Sequence, residues 1–391
     1  MSFTSRLIPA LPIAAMLLAG VARAETRTSV VLGAEGGYGS NPFLGSGDDE
    51  QSASIILSAA PTVSLIGPTS KIDLYGQAEQ AFFTSRFGDY TNWALGANAG
   101  VQLSPLSDLS LGAAYSSHIT SGLNSVIAPP TNDGSIPPPD PSATEIAGQR
   151  SKTLSGSGSF STRVSLRDTV SVSANASKVD YSANLNSDYT NYGSSLGVMH
   201  IFSDKLSAGF SIGYSKTDYQ SATLGTFQSY SPSANATLKL AARTSLAVSL
   251  GASFSKISGP GASPTKPYFS GSANLCRKGD RSNLCLIAAR SVGATAQAGS
   301  STITQLGANY SYVLTPRSSF ALGGNYSATQ SIGLGTNNDT SYANAYASYS
   351  HQLTQRLSFV VNTRYTDPLT SIGARGQSFY GGAGVTYRLG R

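Results

Sequence analysis

The sequence predicts an all-β fold: a single transmembrane antiparallel up-and-down β-barrel of about 18 strands, occupying residues 25–391. Three observations predict it. Bulky apolar residues alternate with small or polar ones from the third dozen residues to the end. Short and long connections alternate between those segments. After the N-terminal segment, no stretch is continuously apolar over the roughly 20 residues that a spanning helix needs.

Leu246-Ala247-Val248-Ser249-Leu250-Gly251-Ala252-Ser253-Phe254 shows the pattern plainly, and Lys71 to Gly76 and Phe379 to Leu389 repeat it. Successive strand side chains point to opposite faces. Each segment therefore carries one greasy face and one face of Ser, Gly, Asn, Thr and Ala. A soluble sandwich would bury the bulky face. Here the other face is too small and too polar, and recurs too regularly, for anything but a wet interior, which leaves the greasy face to lipid.

Taken in chain order, residues 1–24 read as a secretory signal: Arg6, an apolar run from Leu7 to Gly20, and an Ala22-Arg23-Ala24 cleavage site. Eight tight turns follow, around Gly67-Pro68, Pro105-Leu106, Arg167-Asp168, Asp204-Lys205, Ala242-Arg243, Arg277 to Ser282, Pro316-Arg317 and Gln355-Arg356. Between them lie longer polar connections: Ser40–Gln51, Leu123–Arg150, Ser258–Lys266 and Gln330–Thr340 among them. This is the asymmetry of outer-membrane barrels, with short periplasmic turns and long external loops. The weakest segments are those around Pro232, where proline is awkward in a ladder, and Leu284–Val292; losing them would give 16 strands.

Only 12% of residues are charged, about half the globular norm of roughly 25%. The net charge of +6 falls to +4 without Arg6 and Arg23. That is too weak to argue for nucleic acid, which an exported chain would not meet. Cys276 and Cys285 flank the Arg277–Leu284 turn symmetrically, so antiparallel pairing brings them within disulfide reach in an oxidising compartment. Two cysteines and three scattered histidines do not make a structural zinc pattern.

Parity assigns Glu35, Lys71, Asp73, Glu79, Arg163, Lys239, Arg364 and Arg388 to the inward, pore-lining face. Trp93, Tyr115, Tyr214, Tyr310, Tyr312, Tyr365 and Tyr387 share the apolar face near strand ends, where aromatic girdles belong. Three rising greasy stripes end in a lysine on the same face: Lys178, Lys216 and Lys256. These are expected to contact outer-membrane lipid, with lipopolysaccharide phosphates as partners. Asp180 and Asp218 stand beside them, available to bridge through divalent cations.

Gly36-Gly37-Tyr38-Gly39-Ser40-Asn41-Pro42-Phe43, together with Asn186-Ser187-Asp188-Tyr189-Thr190-Asn191-Tyr192, resembles segments of the outer-membrane β-barrel porins of α-proteobacteria. The resemblance implies a porin fold across the mature chain, and the frequent company of exopolysaccharide genes implies polysaccharide-export components as partners. Gly39 stands where that family usually has an acidic residue. The last strand is similar to the signal read by the barrel-assembly machinery, with Gly384 followed by Tyr387 and Leu389; most such signals end on Phe or Trp, and this chain ends Gly390-Arg391.

These residues point to a channel passing small polar solutes by passive diffusion. An exopolysaccharide secretion channel and a structural or adhesive barrel with a closed lumen are the alternatives. Enzymatic chemistry and cofactors are not expected: His118, His200 and His351 sit in no nucleophile setting, and no Gly-x-Ser-x-Gly elbow appears in a strand-to-helix context. The inward charges are mixed in sign and form no dense arginine ladder. The proline-rich, acidic Leu123–Arg150 loop is the candidate constriction. If it folds inward, deleting Thr131–Thr144 raises single-channel conductance and lowers cation preference; an unchanged current places the loop outside the pore.

Overall fold

A computed structural model describes residues 25–44, 51–84, 87–119, 148–182, 188–220, 225–259, 263–295, 299–332, 339–370 and 376–390. Residues 1–24, read as the signal, and residues 123–147 of the candidate Leu123–Arg150 constriction lie outside the described residues. The first nine strands are β1 (Glu25–Ser40), β2 (Gln51–Ile66), β3 (Ser70–Phe83), β4 (Tyr90–Ser104), β5 (Ser107–Ile119), β6 (Arg150–Arg163), β7 (Asp168–Tyr181), β8 (Tyr189–Ser203) and β9 (Leu206–Tyr219). The remainder are β10 (Thr226–Ala241), β11 (Thr244–Ser258), β12 (Ser263–Lys278), β13 (Ser282–Thr295), β14 (Gly299–Thr315), β15 (Ser318–Ser331), β16 (Thr340–Gln352), β17 (Leu357–Thr370) and β18 (Ser378–Gly390).

Every strand pairs antiparallel with its neighbours in sequence, and β1 closes on β18 from Ser29↔Gly390 to Ser40↔Phe379. The result is a closed 18-stranded barrel with no free sheet edge at the seam. Strands of 13 to 17 residues exceed the roughly 9–11 that a tilted strand needs to cross a bilayer, so their ends project beyond the hydrocarbon. The tight turns lie where the sequence places them. The Ser258–Lys266 connection is shorter than expected, because β12 already pairs with β11 at Ile257↔Ser263.

Both weak segments form strands. Pro232 sits in β10 and Pro61 in β2, and each is accommodated on one side only. Pro232 pairs with Ile212 of β9, while the β11 ladder passes from Tyr230↔Phe254 to Ser233↔Gly251. Pro61 pairs with Val30 of β1, while the β3 ladder passes from Ala59↔Ala78 to Thr62↔Tyr75. A residue without an N–H serves one neighbour and forfeits the other.

The alternation sorts the two faces as expected. Leu95, Leu154, Phe210, Leu250 and Phe269 stand out on the exterior, and Glu35, Ile56, Phe227 and Tyr380 are buried on the interior. Girdle aromatics pair across strands, with Trp93 and Tyr115 rings 5.2 Å apart and Tyr214 and Tyr230 5.0 Å apart. Cys276 and Cys285 are register partners joined by a disulfide that clamps the β12–β13 turn.

Candidate pore lining

The eight charged residues assigned inward by parity divide into three groups. Lys71 and Asp73 are neighbours on the inner face of β3. Their side chains form an ion pair at 2.8 Å, and Ser64 Oγ donates to Asp73 Oδ1 at 2.6 Å. The pair is electrically neutral as a unit. Arg163, Lys239 and Arg388 stand at the periplasmic ends of β6, β10 and β18 and are exposed there.

Glu35, Glu79 and Arg364 lie higher on β1, β3 and β17. Glu35 is buried and held by two donors: Tyr380 Oη at 2.7 Å and Asn362 Nδ2 at 3.2 Å. Glu79, also buried, accepts from Asn92 Nδ2 at 3.4 Å, and Asn92 Oδ1 in turn accepts the Ile119 N–H at 2.8 Å. These carboxyl groups are tied into the wall by hydrogen bonds from neighbouring side chains.

Parity places inward several tyrosines that the girdle argument overlooked, Tyr75, Tyr90, Tyr346 and Tyr380 among them. The signal was available, since Tyr75 follows outward Leu74 and Tyr380 follows outward Phe379. The rings of Tyr75, Tyr346 and Tyr380 lie against glycines. A Cβ on Gly96 would collide with the Tyr75 ring, one on Gly323 with Tyr346, and one on Gly37 with Tyr380. Tyr75↔Gly96 and Tyr346↔Gly323 are direct register partners. A missing Cβ lets an aromatic ring fold flat along the wall, which keeps the lumen clear. Tyr346 Oη donates to Asn309 Oδ1 at 2.6 Å, fixing that ring.

Below this level the lining is small and polar. A recess of about 490 Å³ runs along the inner wall of β3 to β7. Lys71, Asp73, Asn98, Ser110, Ser157, Ser159, Ser173 and Asn175 line it, with Gly100 and Gly112 between them. Hydroxyl pairs continue the polar lining round the barrel: Ser173 to Ser195 and Ser211 to Ser233, each at 2.7 Å.

Two apolar clusters narrow the external half. In one, Ile56, Ala81, Tyr90 and Tyr380 pack with Phe43, Phe83 and Ile119. Phe43 is brought there by the end of the Gly36–Phe43 segment. Asn41 and Leu44 take left-handed backbone angles (φ 46° and 52°) and the Leu44 N–H donates to the Asn41 carbonyl. Leu44 is 4% exposed, and packing of that kind offsets the roughly 1–2 kcal/mol cost of each such angle. In the other cluster, Tyr219, Phe227 and Ile257 pack with Tyr189 and Val292.

Two of the three expected lipid-facing lysines carry partners. Lys178 pairs with Asp180 at 3.0 Å and Lys216 with Asp218 at 2.8 Å, each within one strand. The two aspartates thus neutralise the lysines directly rather than standing open for divalent cations. Lys256 is exposed on the same face of β11. Gly384 faces inward, where a Cβ would meet the Ala34 carbonyl and Glu35, while Tyr387 and Leu389 face outward.

The histidines stand apart from one another. His118 meets Ser151 Oγ at 3.2 Å on the inner face, His200 meets Asp168 at 2.7 Å, and His351 meets Ser318 Oγ at 2.7 Å. Among the described residues, no three His, Cys, Asp or Glu side chains converge on a metal-sized site.

Putting Val at position 96 drives the Tyr75 ring off the wall and into the lumen. Single-channel conductance should fall in Gly96→Val and recover in the Gly96→Val/Tyr75→Ala double variant. A conductance equal to wild type in Gly96→Val would show that the ring does not border the conducting path.

No protein-family model and no curated relative matches the chain. Solved structures do match its fold. Pseudomonas aeruginosa OccK2 (OpdF) aligns over 94% of this chain and 98% of its own, at 11% identity and a TM-score of 0.50. The same channel in complex with glucuronate aligns over the same shares at 10% identity and a TM-score of 0.50. Pseudomonas aeruginosa OpdQ aligns over 94% of this chain and 99% of its own at 12% identity and a TM-score of 0.48. The likeness is one of fold: a closed 18-stranded barrel of the outer-membrane porin type.

Proposed function

We propose that the barrel is an outer-membrane channel through which small polar solutes diffuse passively. The observation that carries this reading is the Asn-, Ser- and Gly-lined recess inside a closed barrel whose exterior is apolar. Such a lining exchanges hydrogen bonds with water or with hydroxylated solutes at little net cost. It holds one neutralised ion pair where a polyanion exporter would need a run of unpaired cations. OccK2 was solved with glucuronate; for this chain we propose the broader class of small hydroxylated solutes, charged or not. The resemblance to α-proteobacterial porins supports the same reading and rests on the Gly36–Phe43 and Asn186–Tyr192 segments. The reading is non-enzymatic.

The purified barrel should give steady single-channel currents in planar bilayers, and liposomes containing it should swell in isotonic glucose and glucuronate. Lys71→Gln leaves Asp73 uncompensated in the recess, so the reversal potential should shift toward cation preference. A silent bilayer and unswollen liposomes would favour the closed structural barrel, and a current that only a polysaccharide blocks or stimulates would favour export.

We also propose that Lys178, Lys216 and Lys256 form part of a lipopolysaccharide-contacting belt at the outer rim. A lysine there costs about 0–1 kcal/mol near the interface, against about 2–4 at the bilayer midplane, and its stem can snorkel. The pairs with Asp180 and Asp218 reduce the net charge, so Lys256 should contribute most. Replacing all three by Gln should lower the lipopolysaccharide retained through detergent purification while leaving the folded barrel intact. Unchanged retention would remove the belt.

A further inference from the structure

Among the described residues, one ladder of the barrel stops halfway. β12 and β13 pair from the disulfide-clamped turn up to Gly271↔Arg290 and no further. Both strands continue beyond that point. β12 stays paired with β11 as far as Ile257↔Ser263, and β13 stays paired with β14 as far as Thr295↔Gly299. The wall is therefore split above Gly271.

The direction of the split follows from Val292. By alternation it belongs to the outward face of β13, with Leu284 and Leu286. Yet it packs on Tyr219, Phe227 and Ile257, which face the lumen. Tyr219 Oη also donates to the Thr295 carbonyl at 3.1 Å. The upper end of β13 has thus swung inside the wall formed by β9 to β11. The upper part of β12 is left as a free edge facing lipid.

The sequence of that edge suits exposure. Lys266 and Pro267 stand on it, and lysine and proline are residues that blunt strand edges. The backbone groups of the edge cannot be left bare in hydrocarbon, where each unpaired one costs several kcal/mol. The split must therefore admit water or a polar guest.

Arg290 stands at its foot, on the outward face, with Nη1 donating to Thr304 Oγ1 at 3.0 Å. On β9 and β11, five outward apolar or aromatic positions precede the rim lysine. On β13 only Leu284, Leu286 and Ala288 precede Arg290. Two fewer positions is four residues, or roughly 13 Å along a strand. A guanidinium thus sits below the lysine row, inside the apolar belt. Phe269, 59% exposed, lies at the lip on β12.

We propose that this split is a lateral port that binds a single-chain anionic amphiphile from the outer leaflet. The carboxylate would lie on Arg290 and the acyl chain would pass Phe269 into lipid. A guanidinium presents a fork that matches a carboxylate, and a polar slot opening onto hydrocarbon matches a molecule with one end of each kind.

The test uses the full disulfide-bonded barrel in non-ionic detergent, with binding followed by native mass spectrometry. Laurate should be retained and should bind at least about tenfold more weakly to Arg290→Gln, while Lys256→Gln binds it normally. Dodecanol and acetate, each lacking one end, should be retained poorly. Equal binding of laurate to Arg290→Gln would overturn the port. So would acetate binding as tightly as laurate, which would mark a plain anion site, or displacement of laurate by a diacyl phospholipid, which would mark a headgroup site. Single-channel conductance should be the same in Arg290→Gln and wild type, so this result stands apart from the pore reading. Independently, Ser270→Cys/Ser291→Cys places thiols where the next ladder pair would fall. Both should stay open to maleimide; spontaneous cross-linking would show that the wall is closed.

Discussion

Hydrocarbon offers a peptide group nothing to bond to, and the whole structure answers to that fact. A chain that crosses lipid as strands must pair every N–H and C=O with a neighbouring strand and must leave no edge. The β1–β18 seam meets that demand globally, and nearest-neighbour antiparallel pairing meets it elsewhere, save along the upper part of β12. The period-two pattern is a consequence, because once the sheet closes, one face of every strand meets lipid and the other meets the lumen. Even the exceptions obey. Pro61 and Pro232 are each set so that a ladder lapses on one side only.

The lumen is governed by a second requirement, that it stay passable while carrying side chains from 18 strands. Small residues do most of this. Some inward rings are received by a glycine on the adjoining strand, as Gly96 receives Tyr75 and Gly323 receives Tyr346. Charges are handled in the same spirit. Lys71 and Asp73 cancel, and Glu35 and Glu79 are bound by neutral donors from neighbouring strands. A buried carboxylate so held stiffens the wall instead of projecting into the path. The narrowing comes from apolar packing at the external side, where Phe43 and Val292 each bring a strand end inward.

The split beside β12 links these two requirements. Turning the upper end of β13 inward narrows the lumen, but it breaks the ladder that lipid demands. The chain limits the damage with the disulfide below the break and with Lys266 and Pro267 on the freed edge. A cation on the outer face at that height would be unfavourable on an intact wall, and beside a polar slot it has a setting.

The sequence by itself determined the class of fold, the strand count, the eight tight turns, the two faces of the strands outside the upper end of β13 and the cysteine pairing. All of these follow from local alternation, local turn chemistry and the two-fold character of a strand. Parity alone carried Glu35, Arg364 and Arg388 to the inner face. It could not say that Glu35 would meet Tyr380 and Asn362, because those partners are more than 300 residues distant and meet only when the barrel closes. Nor could it pair Lys178 with Asp180 in preference to a divalent ion, since that choice depends on rotamers at the rim. The glycine cradles, the Gly36–Phe43 fold-back and the inward swing of β13 were decided by tertiary structure. Each depends on which strand lies next to which, and on where a ladder becomes less favourable than packing a strand end against the inner face of the wall.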